Sequence, residues 1–222
     1  MATQAEIGEQ FLKAVRGAEP QDAPYRHWIL NDLFPADTLA ALQALPFPAP
    51  DLDGVSGTRE VHNASRVYLD VANQERYDVC RDVAAALQDR AVVRSIGETF
   101  GADLDGTYLR IEHAQDTDGF WLEPHTDIGV KRFTLLGYIS DDPSHADLGT
   151  DIYADKQTWF AAAPFMPNVA MVFVPSNHTW HGFRKRPIKG VRKSIIINYV
   201  TSDWRAREQL CFPEEPVSLT AA

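Results

Sequence analysis

The chain has 222 residues, of which 45% are apolar and 23% charged, and its formal net charge is −10. This length and balance are typical of one globular domain and exclude a largely disordered chain. The acidic charge argues against a nucleic-acid or anionic-membrane partner, because phosphate-rich surfaces would repel the protein. Two cysteines, Cys80 and Cys211, are too few for a disulfide framework, and no apolar segment approaches the ~20 residues that span a bilayer. We therefore expect a cytoplasmic protein.

The first 105 residues predict mainly helices. Apolar residues recur at helical spacing in the segments 5–17 and 35–48, and residues 74–101 predict one or two further helices that end at Gly101. A strand is predicted between the first two helices, in the sequence YRHWILND. We interpret this region as helical support, with one or two strands, for the rest of the domain.

From Gly106 onward the sequence has the pattern of a β-domain. Short runs rich in Tyr, Val, Ile, Phe and Thr recur about every ten residues, with turn-forming residues between them. The predicted strands lie in the segments 107–114, 131–140, 150–155, 158–163, 168–175, 178–185 and 191–201. Seven or eight strands after a helical opening predict a mainly β fold with a double-stranded β-helix (jelly roll, cupin-like). The chain is expected to form a single domain, 1–222, with support over 1–105 and the jelly-roll core over 106–201.

The motif His-X-Asp occurs twice, as HTD at 125–127 and as HAD at 145–147. Side chains two residues apart on an extended segment point to the same side, so either pair could bind one ion. His145 lies in the polar loop SDDPSHADLGTD, where we expect it to face water. His125 and Asp127 stand where a polar turn passes into an apolar strand, at the mouth of the predicted barrel. We therefore favour the first pair as metal ligands.

A catalytic metal site needs a third protein ligand, for which His181 is favoured and His178 is the local competitor. Two histidines and one carboxylate on one face of an octahedron are typical of non-haem Fe(II) sites that activate oxygen. The residues between Asp127 and His181 leave room for about four or five strands, enough to circle a jelly roll and return beside the first ligands.

Arg192 begins the strand VRKSIIINYV, in which Arg192, Ser194, Ile196 and Asn198 alternate to one side. An inward-facing arginine is costly unless an anion pairs with it. Two interpretations are open: a solvated charge in a turn, or a guanidinium that binds a carboxylate with help from the Ser194 hydroxyl.

The ordered set HTD at 125–127, His181, and RKS at 192–194 resembles the HxD…H…RxS pattern of the Fe(II)- and 2-oxoglutarate-dependent oxygenases. The resemblance covers roughly residues 106–201. It implies that His125, Asp127 and His181 bind Fe(II). It also implies that Arg192, with Ser194, binds the distal carboxylate of 2-oxoglutarate, whose other end binds the iron.

The same resemblance implies a reaction with O2 as second cosubstrate. Hydroxylation of an unactivated C–H bond, with release of succinate and CO2, is the default outcome in this family. Tyr108 and Tyr138 are equal candidates for a further contact with 2-oxoglutarate, although either tyrosine could simply be part of the core.

A small metabolite is the favoured substrate. The candidate substrate contacts are Asn63, Arg66, Tyr68, Trp121, Trp180 and Arg184. Arg66 and Arg184 would suit an anionic molecule.

Two alternatives remain. The first is a protein or peptide hydroxylase of the prolyl type, against which Arg192 counts, because the collagen-type enzymes typically use lysine at that position. The second is a non-catalytic, cupin-like metal-binding module. Such modules usually lack the distal arginine, so Arg192 and Ser194 after His181 distinguish the two classes.

Overall fold

A computed structural model describes residues 1–50, 57, 66–127 and 129–220. These residues form five helices and eleven strands. The helices are α1 (Gln4–Arg16), α2 (Ala36–Gln43), α3 (Val71–Arg76), α4 (Asp78–Gln88) and α5 (Arg90–Phe100). The strands are β1 (Glu19–Gln21), β2 (His27–Leu30), β3 (Val67–Tyr68), β4 (Tyr108–Asp116), β5 (Leu122–His125), β6 (Lys131–Tyr138), β7 (Asp151–Tyr153), β8 (Trp159–Ala162), β9 (Val169–Phe173), β10 (His181–Phe183) and β11 (Arg192–Val200).

Local sequence signals define the ends of several helices. Thr3 and Glu6 form a reciprocal capping box at the start of α1, which satisfies backbone N–H groups that the helix leaves unpaired. The Asp70 and Asp89 side chains cap α3 and α5 by accepting hydrogen bonds from backbone N–H groups of the first turn. Gly101 follows α5 with a φ of 73°, a left-handed conformation that glycine adopts without steric cost. Among the described residues, no helix combines the length and the apolar character needed to cross a membrane.

The strands form two antiparallel sheets. The larger sheet has the order β1-β2-β9-β6-β11-β4-β3, and the smaller sheet has the order β5-β10-β7-β8. β11 is an inner strand of the larger sheet: it pairs over its whole length with β4 on one side, and from Ser194 onward with β6 on the other. Side chains on one face of β11 therefore point to the helices, and those on the other face point to the smaller sheet.

Two apolar clusters lie on the two sides of the larger sheet. Ile195, Ile197 and Tyr199 of β11 belong to the cluster that the helices cover, together with residues of α1, α4 and α5. The second cluster contains Leu136, Tyr138, Met171, Phe173, Ile152, Phe165 and Phe183, which come from both sheets and the loops beside them. The alternate residues of β11, beginning with Arg192, face this second side.

The prediction of a mainly β chain with N-terminal helices is confirmed. Each of the seven predicted strands overlaps an observed strand, and the early strand in YRHWILND is β2. β4 continues two residues beyond its predicted end, to Asp116. Residues 74–101 contain two complete helices and the end of a third, since α3 and α4 are separated only by Tyr77. The short strands β1, β3 and β5 were not predicted. β5 has the sequence LEPH and lies at the edge of the smaller sheet. Its proline and polar residues are not typical of a strand, so the sequence did not predict it.

We predict that Gly182→Ala destabilises the protein, because this glycine brings β10 close to β5. A Cβ atom at Gly182 would lie 2.8 Å from the Leu122 carbonyl oxygen and 3.1 Å from that of Glu123. Overpacking against backbone should lower the free energy of unfolding by about 1–3 kcal/mol in urea titrations. Gly8→Ala in α1 is the matched control, because its Cβ would meet the Val92 side chain at an ordinary 3.7 Å. Equal stability of the two variants would contradict the prediction.

Candidate active site

Three potential metal ligands meet between β5, β10 and the turn after β5. His181 is the antiparallel partner of His125, and Asp127 follows His125 by two residues. One ligand atom from each of these residues lies within 4.8 Å of the other two. The His125 and His181 ring centroids are 4.4 Å apart, and His181 Nε2 lies 4.0 Å from Asp127 Oδ1. The pairing of two strands thus brings together residues that are far apart in the chain.

Backbone hydrogen bonds orient both histidines in the same way. The Nδ1 atom of His125 lies 2.9 Å from the Glu123 carbonyl oxygen, and that of His181 lies 2.9 Å from the Thr179 carbonyl oxygen. In each case the bond assigns the proton to Nδ1 and leaves the lone pair on Nε2. Metal-binding histidines commonly have this arrangement, because the second nitrogen fixes the orientation of the ring.

Asp127 is held by two side chains of β6. Lys131 Nζ donates to its Oδ1 at 2.7 Å, and Thr134 Oγ1 donates to its Oδ2 at 2.7 Å. Both the Lys131 and the Asp127 side chains are almost fully buried. Thr134 also accepts a hydrogen bond from Asn198 of β11, which itself accepts one from Arg110 of β4. A buried polar network therefore fixes the carboxylate from the sheet beneath it.

A cavity of about 80 Å³ begins at the cluster and runs over the inner face of the larger sheet. His181 lies at one side of it, and Arg192, Ser194 and Ile196 of β11 line it together with Asp116 and Glu112 of β4. Its apolar lining includes Phe120, Leu122, Leu136 and Phe183. A concave, mostly apolar space with a few polar groups is the usual form of a site for a small organic ligand.

Arg192 is buried in the wall of this cavity. Its Nε donates to the Leu148 carbonyl oxygen at 2.8 Å, and its Nη1 donates to the Asp116 carboxylate. The guanidinium carbon lies 4.8 Å from the ring centroid of Phe183 and 5.3 Å from that of Phe165. These contacts fix the guanidinium as a rigid cationic group at the end of the cavity.

Two hydroxyl groups stand beside Arg192. The Ser194 Oγ atom is buried and has no hydrogen-bond partner among the described residues. A buried hydroxyl without a partner is costly, so this atom is suited to a ligand that binds at Arg192. Tyr138 donates from its hydroxyl to Thr150 Oγ1 at 3.0 Å. Burial raises the pKa of Tyr138 and outweighs the opposing attraction of nearby Arg192, so the phenol stays neutral and remains a donor.

The structure brings only some of the predicted substrate residues to the cavity. Arg66 lines it, with a side chain that is 11% exposed and a 3.4 Å contact between its Nη1 and Glu112 Oε2. Arg184 instead pairs with Asp151 and stacks over the Trp159 ring, on the smaller sheet. Tyr68 packs under Arg110, whose guanidinium carbon lies 4.6 Å from its ring centroid.

The two predicted tryptophans are also absent from the described lining of the cavity. The Trp121 ring lies against Gly57, where a Cβ atom would come within 2.2 Å of it. Trp180 accepts hydrogen bonds at its carbonyl from the Tyr25 hydroxyl and the Tyr153 N–H. Asn63 lies outside the described residues.

Tyr108 and Tyr138 were equal candidates for a cosubstrate contact, and the structure separates them. Arg192 pairs with Asp116 at one end of β4, whereas Tyr108 pairs with Val200 at the other end. Tyr108 therefore lies a whole strand away from Arg192 and packs under Arg207. Tyr138 lies beside Ser194 in the pairing of β6 with β11 and lines the cavity.

Among the described residues, neither His145 nor His178 belongs to the group of ligand candidates. The prediction that His145 faces water is wrong: it is 1% exposed, and its Nε2 lies 2.7 Å from the Lys189 carbonyl oxygen. A short 3-10 turn buries it, which a polar loop sequence does not reveal. His178 is exposed and immediately precedes Thr179, whose carbonyl oxygen orients the His181 ring.

Three buried charged residues of one strand were missed by the sequence reasoning, and two of them, Asp116 and Glu112, line the cavity. Asp116, Glu112 and Arg110 all lie on β4 and are at most 7% exposed. Arg110 Nη2 donates to Glu112 Oε2 at 2.9 Å. The signal was their spacing, since charged residues at every second or fourth position of an otherwise apolar strand form one row on one face. Lys131 gave no such signal, because it lies at the first position of β6, where lysine is ordinary.

The donor set fits a divalent transition metal together with a small dicarboxylic acid. Two imidazole nitrogens and one carboxylate leave positions for other ligands, as in non-haem Fe(II) sites. At the far end of the cavity, a buried guanidinium and the Ser194 hydroxyl match a carboxylate group.

No protein-family model matches the chain, and no curated protein matches it. Solved structures do. A prolyl hydroxylase from Trichoplax adhaerens, in complex with a hypoxia inducible factor peptide fragment, is 14% identical with a TM-score of 0.57, over 91% of this chain and 93% of that chain. A 2OG-Fe(II) oxygenase family oxidoreductase from Burkholderia pseudomallei is 17% identical with a TM-score of 0.53, over 100% and 95%. The epimerase SnoN from nogalamycin biosynthesis, described as non-heme and alpha ketoglutarate dependent, is 14% identical with a TM-score of 0.50, over 88% and 83%.

These structures differ in the reactions that their names describe, but all three names describe hydroxylases, oxygenases or 2-oxoglutarate-dependent enzymes. At these identities the likeness is one of fold. The resemblance that the motif predicted is therefore confirmed at that level: the chain has the fold of the Fe(II)- and 2-oxoglutarate-dependent oxygenases.

Proposed function

We propose that this protein is an Fe(II)- and 2-oxoglutarate-dependent oxygenase that hydroxylates an unactivated C–H bond of a small, anionic metabolite. His125, Asp127 and His181 would hold the metal, and Arg192 with Ser194 and Tyr138 would hold the distal end of 2-oxoglutarate. The whole chain would act as one oxygenase domain, in which residues 1–105 support a core over 106–201. The buried free thiols of Cys80 and Cys211 are consistent with a reducing, cytoplasmic location.

One observation carries the proposal: a single cavity joins His181 to the buried Arg192 and to the Ser194 hydroxyl, which has no hydrogen-bond partner in the described part of the chain. A structural metal site needs no cavity beside it, and a simple binding module needs no buried cation at the far end. Both features together are expected where a metal and a carboxylate must be bridged by one ligand.

The strand order supports a double-stranded β-helix as the core. Between β4 and β11 the chain passes repeatedly from one sheet to the other, with β4, β6, β9 and β11 in the larger sheet and β5, β7, β8 and β10 in the smaller sheet. This is how a jelly roll is wound. It leaves the space between the sheets lined by both, which is where the cavity lies.

When bound, Fe(II) with O2 and 2-oxoglutarate supplies the oxidising power for hydroxylation and releases succinate and CO2. The protein's own residues bind and orient. The Glu123 and Thr179 carbonyl groups fix the two imidazole rings, and Lys131 with Thr134 fixes the Asp127 carboxylate. The apolar lining excludes water from the space in which the reacting groups meet.

Arg66 supports an anionic small molecule as the substrate. It is a nearly buried cation whose acidic neighbour, Glu112, has a shorter contact with Arg110 than with Arg66. A guanidinium in the cavity lining, whose acidic neighbour is shared with Arg110, suits an anionic group of the substrate. A peptide hydroxylase is the second candidate, because a structural neighbour was solved with a peptide bound. A cupin-like module accounts less well for Arg192 and Ser194.

We expect His125→Ala, Asp127→Ala and His181→Ala each to lower the affinity for Fe(II) by more than about 100-fold. Loss of a residue that only hydrogen-bonds to a metal ligand costs up to about 100-fold, and loss of the ligand itself should cost more. The fold should remain, because none of these side chains belongs to an apolar cluster. Anaerobic metal titration and circular dichroism measure the two properties. His178→Ala is the matched control and should bind iron normally. Unchanged affinity in any of the three variants would remove that residue from the ligand set.

We expect Arg192→Met to weaken 2-oxoglutarate binding by about 10–100-fold, because a charged hydrogen bond to the distal carboxylate is lost. Iron affinity should change little, since Arg192 does not touch the cluster. Calorimetric titration of the anaerobic Fe(II) protein with 2-oxoglutarate gives the affinity. The control is Arg132→Met, which removes an exposed arginine of β6. If both variants bind the cosubstrate like the wild type, Arg192 is a structural charge only.

The substrate class can be tested by succinate release. Small mono- and dicarboxylic acids and proline-containing peptides are supplied separately, and release is compared with the substrate-free rate. We expect stimulation by small anions, and its loss in Arg66→Met because the cationic contact is removed. Arg184→Met should keep the stimulation, since Arg184 pairs with Asp151 away from the cavity. Stimulation by peptides alone would instead favour the second candidate.

A further inference from the structure

Asp116 shares the cavity end with Arg192. The two residues are directly opposite each other in the pairing of β4 with β11. Arg192 Nη1 donates to Asp116 Oδ2, and both side chains are at most 10% exposed. The Asp116 Oδ1 atom has no hydrogen-bond partner in the part of the chain that the structure describes, and Asp116 lines the cavity.

This pair is neutral as it stands, which creates a difficulty for a dianionic cosubstrate. If the distal carboxylate of 2-oxoglutarate binds at Arg192, two carboxylates share one guanidinium in a buried space. Two adjacent carboxylates in such a site do not both ionise, because one guanidinium in contact does not offset their repulsion and their loss of solvent. Arg66, the other cation of the cavity lining, already contacts Glu112. One added proton removes the repulsion and converts the acid into a hydrogen-bond donor.

We propose that Asp116 is a further cosubstrate-binding residue, which contacts the distal carboxylate of 2-oxoglutarate as a neutral carboxylic acid, so that cosubstrate binding takes up one proton. The inference rests on the proposed function for the identity of the ligand. The arrangement at the cavity end is then Arg192 with a positive charge, the ligand carboxylate with a negative charge, and Asp116 and Ser194 as neutral donors.

The surroundings of Asp116 favour its neutral form. Burial raises the pKa of Asp116 and outweighs the attraction of Arg192, which lowers it. The other ionisable side chains that line the same cavity are Arg66 before β3, Glu112 on β4, Tyr138 on β6 and His181 on β10. Arg66 lowers the pKa and Glu112 raises it, and Glu112 itself is paired with Arg110. A second carboxylate beside Asp116 would raise its pKa further.

The consequence is a pH dependence of a defined sign. Below the pKa of free Asp116 the acid already carries its proton, and the affinity for 2-oxoglutarate does not change with pH. Above that pKa each binding event takes up a proton, so the dissociation constant rises about tenfold per pH unit. Asp116→Asn supplies a permanently neutral donor of similar shape, so its dissociation constant should stay at the low-pH value of the wild type at every pH.

The test is calorimetric titration of the anaerobic Fe(II) protein with 2-oxoglutarate between pH 6 and 8.5, in buffers of different ionisation enthalpy, which gives the affinity and the proton uptake together. We expect uptake approaching one proton for the wild type at the upper end and none for Asp116→Asn. Asp103→Asn, at an exposed aspartate, should behave like the wild type. Titration of the metal ligands affects all three proteins equally and cancels in the comparison.

A wild-type protein that binds 2-oxoglutarate tightly with no proton uptake and a flat pH profile would overturn the inference, even if the Asp116→Asn variant failed to fold. Weaker binding by Asp116→Asn at every pH would also overturn it, because Asp116 would then act only as the ionised partner that positions Arg192. Failure of the proposed function looks different: 2-oxoglutarate would not bind at any pH.

Discussion

The antiparallel pairing of β5 with β10 is the constraint on which the whole site depends. It places His125 opposite His181, and it can do so only because Gly182 lets the two backbones approach. Asp127 then follows β5 into the space beside β6, where Lys131 and Thr134 fix its carboxylate. A short, polar edge strand is thus held in register by a glycine on one side and by charged hydrogen bonds on the other.

The second constraint is the number of charges enclosed between the sheets. Arg192 with Asp116, Arg110 with Glu112, and Lys131 with Asp127 are three buried pairs along one inner face. Buried ion pairs contribute little net stability, because desolvation offsets their attraction. The presence of Arg192, Asp116 and Glu112 in the cavity lining is better explained by binding. A metal ion and a dicarboxylic acid would each add charge beside an ion pair that is already neutral. The added charge makes the affinity of the site for these ligands sensitive to the protonation of its acids.

The sequence predicted the strands of the core and the three metal-binding candidates, because period-two patterns and ordered motifs are local or nearly local signals. Arg192 and Ser194 followed from alternation on β11, and Tyr138 was one of two equal choices. What failed needed knowledge of which strands pair. The sequence could not rank Tyr108 and Tyr138, whereas the register of β4 with β11 places Tyr108 at the end of β4 that is far from Arg192. His145 was expected in solvent because a polar turn gives no sign that its histidine is covered. Asp116 went unnoticed because its partner, Arg192, lies on a strand that is far away in the sequence, although the two strands are neighbours in the sheet.

The central claim is that a metal at His125, Asp127 and His181 and a carboxylate at Arg192 are bound by one bridging ligand. Anaerobic titration of the metal-free protein, first with Fe(II) and then with 2-oxoglutarate, tests it most directly through the weak visible charge-transfer band of the chelate. The account predicts saturation at one iron per chain, and a band that forms only when both are present. Iron binding without the band at any 2-oxoglutarate concentration would contradict the claim and leave a metal-binding module as the better description.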